Sequence, residues 1–83
     1  MNRIEFERKV IDIVSKYTYL IVTQDQNIQD DLGIDSIYRA AIEEDIKDEF
    51  NIDLHWSIWD NFWHTKPTVA ELCDFIELKL CMQ

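Results

Sequence analysis

Three stretches of the sequence repeat apolar residues at intervals of three and four, the spacing that places side chains on one face of an α-helix. These stretches predict long helices over residues 3–17, 36–50 and 68–82. Each helix then has one apolar stripe to bury against its neighbours. The residues predicted to face inward are Phe6, Val10, Ile13, Val14 and Tyr17, then Ile42, Ile46 and Phe50, and finally Val69, Leu72, Cys73, Ile76 and Leu80.

Signals at the helix ends and the composition agree with this pattern. Asn2 is placed to cap the first helix, and Thr68 is followed three residues later by Glu71, the spacing of a capping box. A chain of 83 residues with one glycine, one proline and 47% hydrophobic residues has the composition of one small, mostly helical domain. Such a domain buries only about 60–65% of its unfolded surface and is poorly suited to enclosing an elaborate active site. We therefore expect a single, non-enzymatic domain over residues 1–83.

The segment of residues 55–64 contains all three tryptophans, Trp56, Trp59 and Trp63, and predicts a short third helix with irregular flanks. Aromatic side chains bury large areas in a small domain, so filling of the core is favoured over lining a cargo site or forming a docking surface. Together with the long helices, this segment completes a bundle. The predicted fold class is all-α, a small four-helix bundle with three long helices and one short one.

The helical period fails over residues 18–35, where threonine, glutamine, aspartate and asparagine cluster. A loop of this length is unusual in a small domain unless it has a function. We predict that Ile28 and Leu32 pin the loop to the core. The apolar run at residues 19–22 is predicted to be anchored as well.

The loop ends in the most specific motif of the chain, which reads DLGIDSI over residues 31–37. Aspartate and serine are both preferred N-cap residues, so helix capping explains Asp35 and Ser36 but not the Asp-Leu-Gly before them. A serine at the junction of a turn and a helix holds its hydroxyl at the surface. Ser36 is therefore a candidate for covalent modification by another enzyme.

The stretch DLGIDSI resembles the phosphopantetheine attachment motif of the acyl carrier protein family. The acidic helix after the motif, the segment FNIDL at residues 50–54 and the helix start at Thr68 fall in the order of that family, so the resemblance covers nearly the whole chain. It implies that Ser36 is the attachment residue and Asp35 the adjoining acid. It also implies an acyl-carrier-like arrangement of the helices.

The resemblance further implies a cofactor and a set of partner enzymes. In that family, a magnesium-dependent phosphopantetheinyl transferase moves 4′-phosphopantetheine from coenzyme A to the serine. The thiol of the cofactor then holds an acyl or aminoacyl group as a thioester, which a loading enzyme supplies and a downstream synthase consumes. The chain would thus be a carrier that separate enzymes modify and use, with no catalytic residue of its own.

Residues after Ser36 depart from the commoner pattern of the family. Ile37 replaces the usual leucine, and isoleucine there resembles carriers of polyketide and nonribosomal peptide pathways. Tyr38 and Ala41 stand where fatty-acid carriers usually have carboxylates, and Arg39 adds a positive charge. The resemblance implies a dedicated set of partner enzymes. These enzymes would contact Ile37, Tyr38 and Arg39 and an acidic face further along the helix. That face comprises Glu43, Glu44 and Asp48.

The charge balance limits the partners further. Eight Lys and Arg against seventeen Asp and Glu give a net charge of −9, which repels nucleic acid and anionic lipid and attracts basic protein patches. No apolar run approaches the length that spans a bilayer. We expect a cytoplasmic monomer that binds neither nucleic acid nor membrane.

Two other kinds of site are rejected from the sequence. A calcium loop starting at Asp25 fails because Asp30 and Ser36 occupy the positions that need glycine and glutamate, and no other metal site is predicted. A hydrolase built from Ser36 with His55 or His64 lacks the glycines of a nucleophile elbow.

The two cysteines lie eight positions apart on the last helix, too far apart along a rigid helix for a disulfide. Cys73 falls within the apolar stripe and is predicted to be a buried core residue. Cys81, near the end of the chain, is predicted to be an exposed thiol.

Two alternatives stay open. The end of the tryptophan segment, WHTKP at residues 63–67, resembles short D-alanyl carrier proteins, which keeps an aminoacyl cargo open. In the second alternative, the acidic second helix docks on a basic partner and Ser36 stays unmodified. The chain would then be a non-enzymatic interaction module.

Overall fold

The part of the chain that the structure describes folds into four α-helices. The structure, a computed structural model, describes residues 2–82 of the chain. The helices are α1 (Arg3–Ser15), α2 (Arg39–Phe50), α3 (Trp56–Trp63) and α4 (Val69–Cys81). Residues 2–82 contain no β-strand, and no helix among them is long and apolar enough to cross a membrane. The prediction of an all-α bundle with three long helices and one short one is confirmed.

The apolar stripes of the helices meet in one core, with α1 packed against both α2 and α4. Every residue predicted to face inward is buried except Tyr17 and Leu80, which are half-buried at the rim. Full burial of each Val, Leu, Ile or Phe side chain contributes about 1.5–3 kcal/mol. The helical period alone therefore identified most of the residues that stabilise the fold.

The helices begin and end at residues suited to those positions. Asn2 Oδ1 accepts the N–H of Glu5 at 2.9 Å, which caps α1 as predicted. The predicted capping box of α4 is present, with Thr68 Oγ1 accepting the N–H of Glu71 at 3.1 Å and Glu71 Oε1 accepting the N–H of Thr68 at 2.9 Å. Asn51 follows α2 with a left-handed φ of 54°, which asparagine tolerates better than most residues.

Two predicted helix boundaries are wrong. α1 ends at Ser15 instead of Tyr17, because the N–H of Tyr17 bonds to the carbonyl of Val14 and tightens the last turn. The segment that starts at Ser36 is first a single 3₁₀ turn, Ser36–Tyr38, and α2 begins only after it. The cause is again a hydrogen bond to a residue three positions earlier. The N–H of Tyr38 donates to the carbonyl of Asp35 at 3.1 Å.

The long loop, residues 16–35, is anchored in its second half. Ile28 and Leu32 are buried as predicted, and Val22 and Ile34 join them. The predicted anchoring of the apolar run at the start of the loop is wrong for three of its four residues. The backbone turns at the surface there, because the hydroxyl of Thr18 accepts the N–H two residues ahead at 3.2 Å. The exposed residues are Tyr19, Leu20 and Ile21.

The same loop caps the last helix with its backbone. The carbonyl of Gln26 accepts the N–H of Val69 at 3.0 Å, and the carbonyl of Gln24 accepts the N–H of Ala70 at 2.9 Å. The first N–H groups of an α-helix have no partner within the helix. The loop therefore satisfies donors that α4 cannot satisfy itself, and α4 in turn fixes the loop.

The tryptophan segment fills the core with two of its three indoles. Trp59 and Trp63 are each 1% exposed, whereas Trp56, at the first position of α3, is 72% exposed. Core filling is thus confirmed for the two indoles that lie one helical turn apart. Trp56 is exposed to solvent at the N-terminal end of α3.

The two cysteines differ as predicted. Cys73 is buried in the core, and burial raises the pKa of its thiol to about 11. Cys81 is exposed at the end of α4. A buried neutral thiol is unreactive, so only Cys81 is expected to react with thiol reagents in the folded protein.

Candidate functional site

A glycine turn brings the chain to the surface at Ser36. Gly33 has a φ of 68°, a left-handed conformation that glycine adopts without strain. The residues on either side of it, Leu32 and Ile34, are both buried. The turn thus fixes its neighbours in the core, and Asp35 and Ser36 follow at the surface.

Asp35 caps the turn that contains the serine. Its Oδ1 accepts the N–H of Ile37 at 2.9 Å, and its carbonyl accepts the N–H of Tyr38 at 3.1 Å. The N–H of Arg39 bonds to the carbonyl of Ser36. These three backbone donors at the start of the helical segment are therefore occupied, one of them by a carboxylate.

Ser36 is exposed, yet its hydroxyl has one fixed partner. The indole N–H of Trp63 donates to Ser36 Oγ at 3.3 Å, across 27 positions of sequence. Trp63 is itself buried at the end of α3, and its carbonyl accepts a hydrogen bond from Gln29 Nε2 at 2.7 Å. A serine oxygen that accepts one hydrogen bond can still donate its own proton. Ser36 Oγ is therefore contacted by α3, in a residue that is exposed to solvent.

A second tryptophan of α3 contacts the same end of α2. Trp59 Nε1 donates to the carbonyl of Arg39 at 3.0 Å. The guanidinium of Arg39 reaches back to α3 and pairs with Asp60 at 2.8 Å. Arg39 thus joins the start of α2 to α3, and its predicted role in partner binding stays a prediction.

Ile37 and Tyr38 complete the turn on the side of α1. Ile37 is 76% exposed and presents an accessible apolar side chain beside the serine. The ring of Tyr38 packs on that of Tyr17, with ring centroids 5.4 Å apart. The hydroxyl of Tyr17 donates a hydrogen bond to Asp45 of α2. The turn is thus supported by Tyr17, just after α1, through tyrosine contacts and by α3 through Ser36.

The Tyr17 contact predicts a loss of stability at high pH. Burial, followed by the hydrogen bond to Asp45, raises the pKa of Tyr17 from 10.0 to about 12. The folded state keeps this proton after the unfolded state has lost it. The stabilisation is therefore complete below pH 10 and is lost as the pH rises through about 12.

Urea unfolding on both sides of pH 10 checks this dependence. We expect the free energy of unfolding of the wild type to fall more steeply with rising pH than that of Tyr17→Phe, which cannot ionise at this position. Equal slopes in the two proteins would contradict the assignment.

The three acidic residues of the predicted partner face lie along α2. Glu44 and Asp48 are exposed one helical turn apart and share a face. Glu43 is half-buried and lies about 100° around the helix from its neighbour. Lys47 comes within 3.7 Å of Glu44 and offsets part of its charge. The structure therefore places two of the three carboxylates together on one exposed face.

The two histidines and Asp35 form hydrogen bonds that do not involve Ser36 Oγ. His55 and His64 stand at the two ends of α3, where their ring nitrogens bond to atoms of that helix. Asp35 is engaged with the backbone of the turn. Activation of a serine as a nucleophile needs an adjacent base. The side chains of His55, His64 and Asp35 form their hydrogen bonds with other atoms. Residues 2–82 also hold no group of three side chains suited to binding a metal ion.

Trp63 and Asp60 were not predicted as neighbours of this site. Both lie in a segment whose pattern indicated core filling, and nothing in the local sequence points to the serine. One signal was present, because a buried indole N–H needs an acceptor. That requirement predicts a partner for Trp63 but does not identify it as Ser36.

A function for this chain has to be argued from the residues of the site, since a helical bundle supports many unrelated activities. The relevant arrangement is an exposed serine on a capped turn, with a buried indole donor behind it. Comparison with models of known protein families gives no match to the chain, and no curated protein or solved structure is significantly similar to it.

Proposed function

We propose that this chain is an acyl carrier protein in which Ser36 carries 4′-phosphopantetheine. The observation that carries the proposal is the position of Ser36, exposed at the first residue of a 3₁₀ turn and three residues after Gly33, which has a left-handed φ. A transferase needs a hydroxyl that is accessible and held in one place. The carrier-like motif at residues 31–37 and the four helices around it are consistent with this role.

The residues around Ser36 fit an arm that extends into solvent. A Cβ placed on Gly33 would meet no atom within 4 Å, so the surface beside the turn is open. The carboxylate of Asp35 occupies a backbone donor that an anion would otherwise bind, and it repels a phosphodiester. These features favour an arm that is fixed at its attachment point and otherwise unbound.

The residues around Ser36 support the delivery of a tethered acyl group to partner enzymes. When bound, the cofactor supplies a terminal thiol that holds an acyl group as a thioester. Ile37 offers an apolar contact next to the attachment point, and Glu44 and Asp48 offer negative charge to a basic patch on a partner. Tethering holds the cargo at a high effective concentration beside the partner's active site.

We further propose that the carrier serves a polyketide, nonribosomal peptide or other specialised pathway in the cytoplasm. Ile37, Tyr38 and Ala41 support this, because they remove the leucine and the first carboxylates of the commoner fatty-acid pattern. An aminoacyl cargo is the second candidate, and the sequence WHTKP at residues 63–67 favours it.

Intact-protein mass spectrometry tests the proposal, after incubation with coenzyme A, magnesium and a broad-specificity phosphopantetheinyl transferase. We expect the wild type to gain the mass of one phosphopantetheine and Ser36→Ala to gain none. Ser15→Ala removes another exposed helical serine and is the matched control, expected to load like the wild type.

Two results would overturn this assignment. Loading of Ser36→Ala would place the modification on another residue. If a transferase that loads a known carrier left the folded wild type unmodified, the acidic chain would instead be an interaction module.

A further inference from the structure

Two buried indoles of α3 donate hydrogen bonds to the start of α2, but to different kinds of acceptor. Trp59 donates to a backbone carbonyl, that of Arg39, at 3.0 Å. Trp63 donates to a side-chain oxygen, Ser36 Oγ, at 3.3 Å. The two rings are equally buried, and their centroids lie 6.0 Å apart. Only Trp63 contacts the atom at which the cofactor would be attached.

We propose that Trp63 is a positioning residue for the modification of Ser36. Its indole N–H selects the side-chain orientation in which Ser36 Oγ reacts. This inference rests on the proposed function and adds that α3 controls how readily the carrier is loaded.

Selection of one orientation follows from the difference in mobility between the two residues. A serine side chain at an exposed turn has three staggered orientations open to it. Trp63 is immobile by comparison, because it is buried against Trp59 and its carbonyl is held by Gln29 at 2.7 Å. A fixed donor therefore favours the one side-chain orientation in which Ser36 Oγ can accept the hydrogen bond from the indole N–H.

The orientation of Oγ matters because the transfer forms one bond at this atom. Ser36 Oγ forms a bond to the phosphorus of coenzyme A that carries pantetheine, and the bond from that phosphorus to the bridging pyrophosphate oxygen breaks. The bridging oxygen leaves with the electron pair on adenosine 3′,5′-bisphosphate, and the hydroxyl proton passes to a base of the transferase. The Trp63 N–H binds one of the two lone pairs of the oxygen and leaves the other free to attack, so its effect on the transfer is to hold the orientation of Oγ.

Loading kinetics of two matched variants test the inference. Trp63→Phe and Trp59→Phe each remove one indole N–H from a buried position of the same helix. We expect Trp63→Phe to lower the kcat for loading about threefold to fivefold, the loss of one selected orientation among three or of one hydrogen bond. KM for the carrier should be unchanged, because the exposed surface is unaltered. Trp59→Phe should load like the wild type.

The possible outcomes separate this inference from the proposed function. If the wild type does not load, both fail. If the wild type loads and Trp63→Phe loads with the same kcat, only the role of Trp63 fails. An equal decrease in the two variants would mean that loading responds to the packing of α3 and would also overturn the role of Trp63.

A spectroscopic measurement tests the contact without the transferase and without a Trp63 variant. In ¹⁵N-labelled protein, Ser36→Ala removes the acceptor of one buried indole N–H. We expect the Trp63 indole signal to move while the signals of Trp56 and Trp59, assigned by Phe substitution at those two positions, stay in place. An unmoved Trp63 signal would show that the contact is not made and would overturn the inference even if Trp63→Phe does not fold.

Discussion

Trp59→Ala is expected to lower the free energy of unfolding by about 3–5 kcal/mol, the usual loss when a buried aromatic side chain is truncated. Trp59 packs against the rings of Phe62, Trp63 and Phe75, so truncation opens a cavity between α3 and α4. It also removes the donor to the carbonyl of Arg39. A domain of 83 residues has a total stability of about 4–12 kcal/mol. The loss is therefore a large fraction of the stability of the fold.

Trp56→Ala is the matched control, because it makes the same change in the same helix at a position that is 72% exposed. Its effect should stay within about 0.5 kcal/mol. Urea unfolding followed by far-ultraviolet circular dichroism measures both variants against the wild type. Equal losses in the two, or a small loss at Trp59, would contradict the placement of α3 on the core.

Ile28→Ala is expected to lower the free energy of unfolding by about 2–5 kcal/mol, although Ile28 lies in a loop and not in a helix. Its side chain is fully buried. Its N–H bonds to the carbonyl of Pro67 at 3.1 Å, and its carbonyl accepts the N–H of Ile34 at 3.2 Å. Truncation weakens the attachment of the loop to the start of α4 and the support of the turn before Ser36.

Ile21→Ala is the control for this prediction, since it removes the same side chain from the same loop at a position that is 85% exposed. Its effect should stay within about 0.5 kcal/mol. Chemical unfolding of the two variants under the same conditions measures the free energy of unfolding of each and tests this prediction. If Ile28→Ala is as mild as Ile21→Ala, the loop is not anchored through Ile28.

The positions of the helices and of their buried faces were predictable because they depend on local spacing. The period of apolar residues identified α1, α2 and α4, and the Thr68 capping box marked where α4 begins. The 3₁₀ turn at Ser36–Tyr38 was not predictable in the same way. Both helix types accept the same residues, and the bond from the N–H of Tyr38 to the carbonyl of Asp35 decides between them.

In the loop between α1 and α2, residue type predicts burial correctly at some positions and wrongly at others. Ile28 and Leu32 were expected in the core and lie there, whereas Tyr19 and Ile21 were expected to be anchored and are exposed. All four are apolar. Burial in a loop depends on whether the chain passes over an open part of the core, and that depends on the path of the backbone.

The sequence by itself determined an all-α chain, the buried faces of its three long helices and the presence of a serine at the start of a helical segment. These features depend on spacing and on the preferences of neighbouring residues. The tertiary structure alone decided what the serine contacts, because the Trp63 indole reaches Ser36 across 27 positions. The same holds for Arg39, which pairs with Asp60 of α3. Contacts of this kind depend on how two helices cross, and no local pattern encodes the crossing.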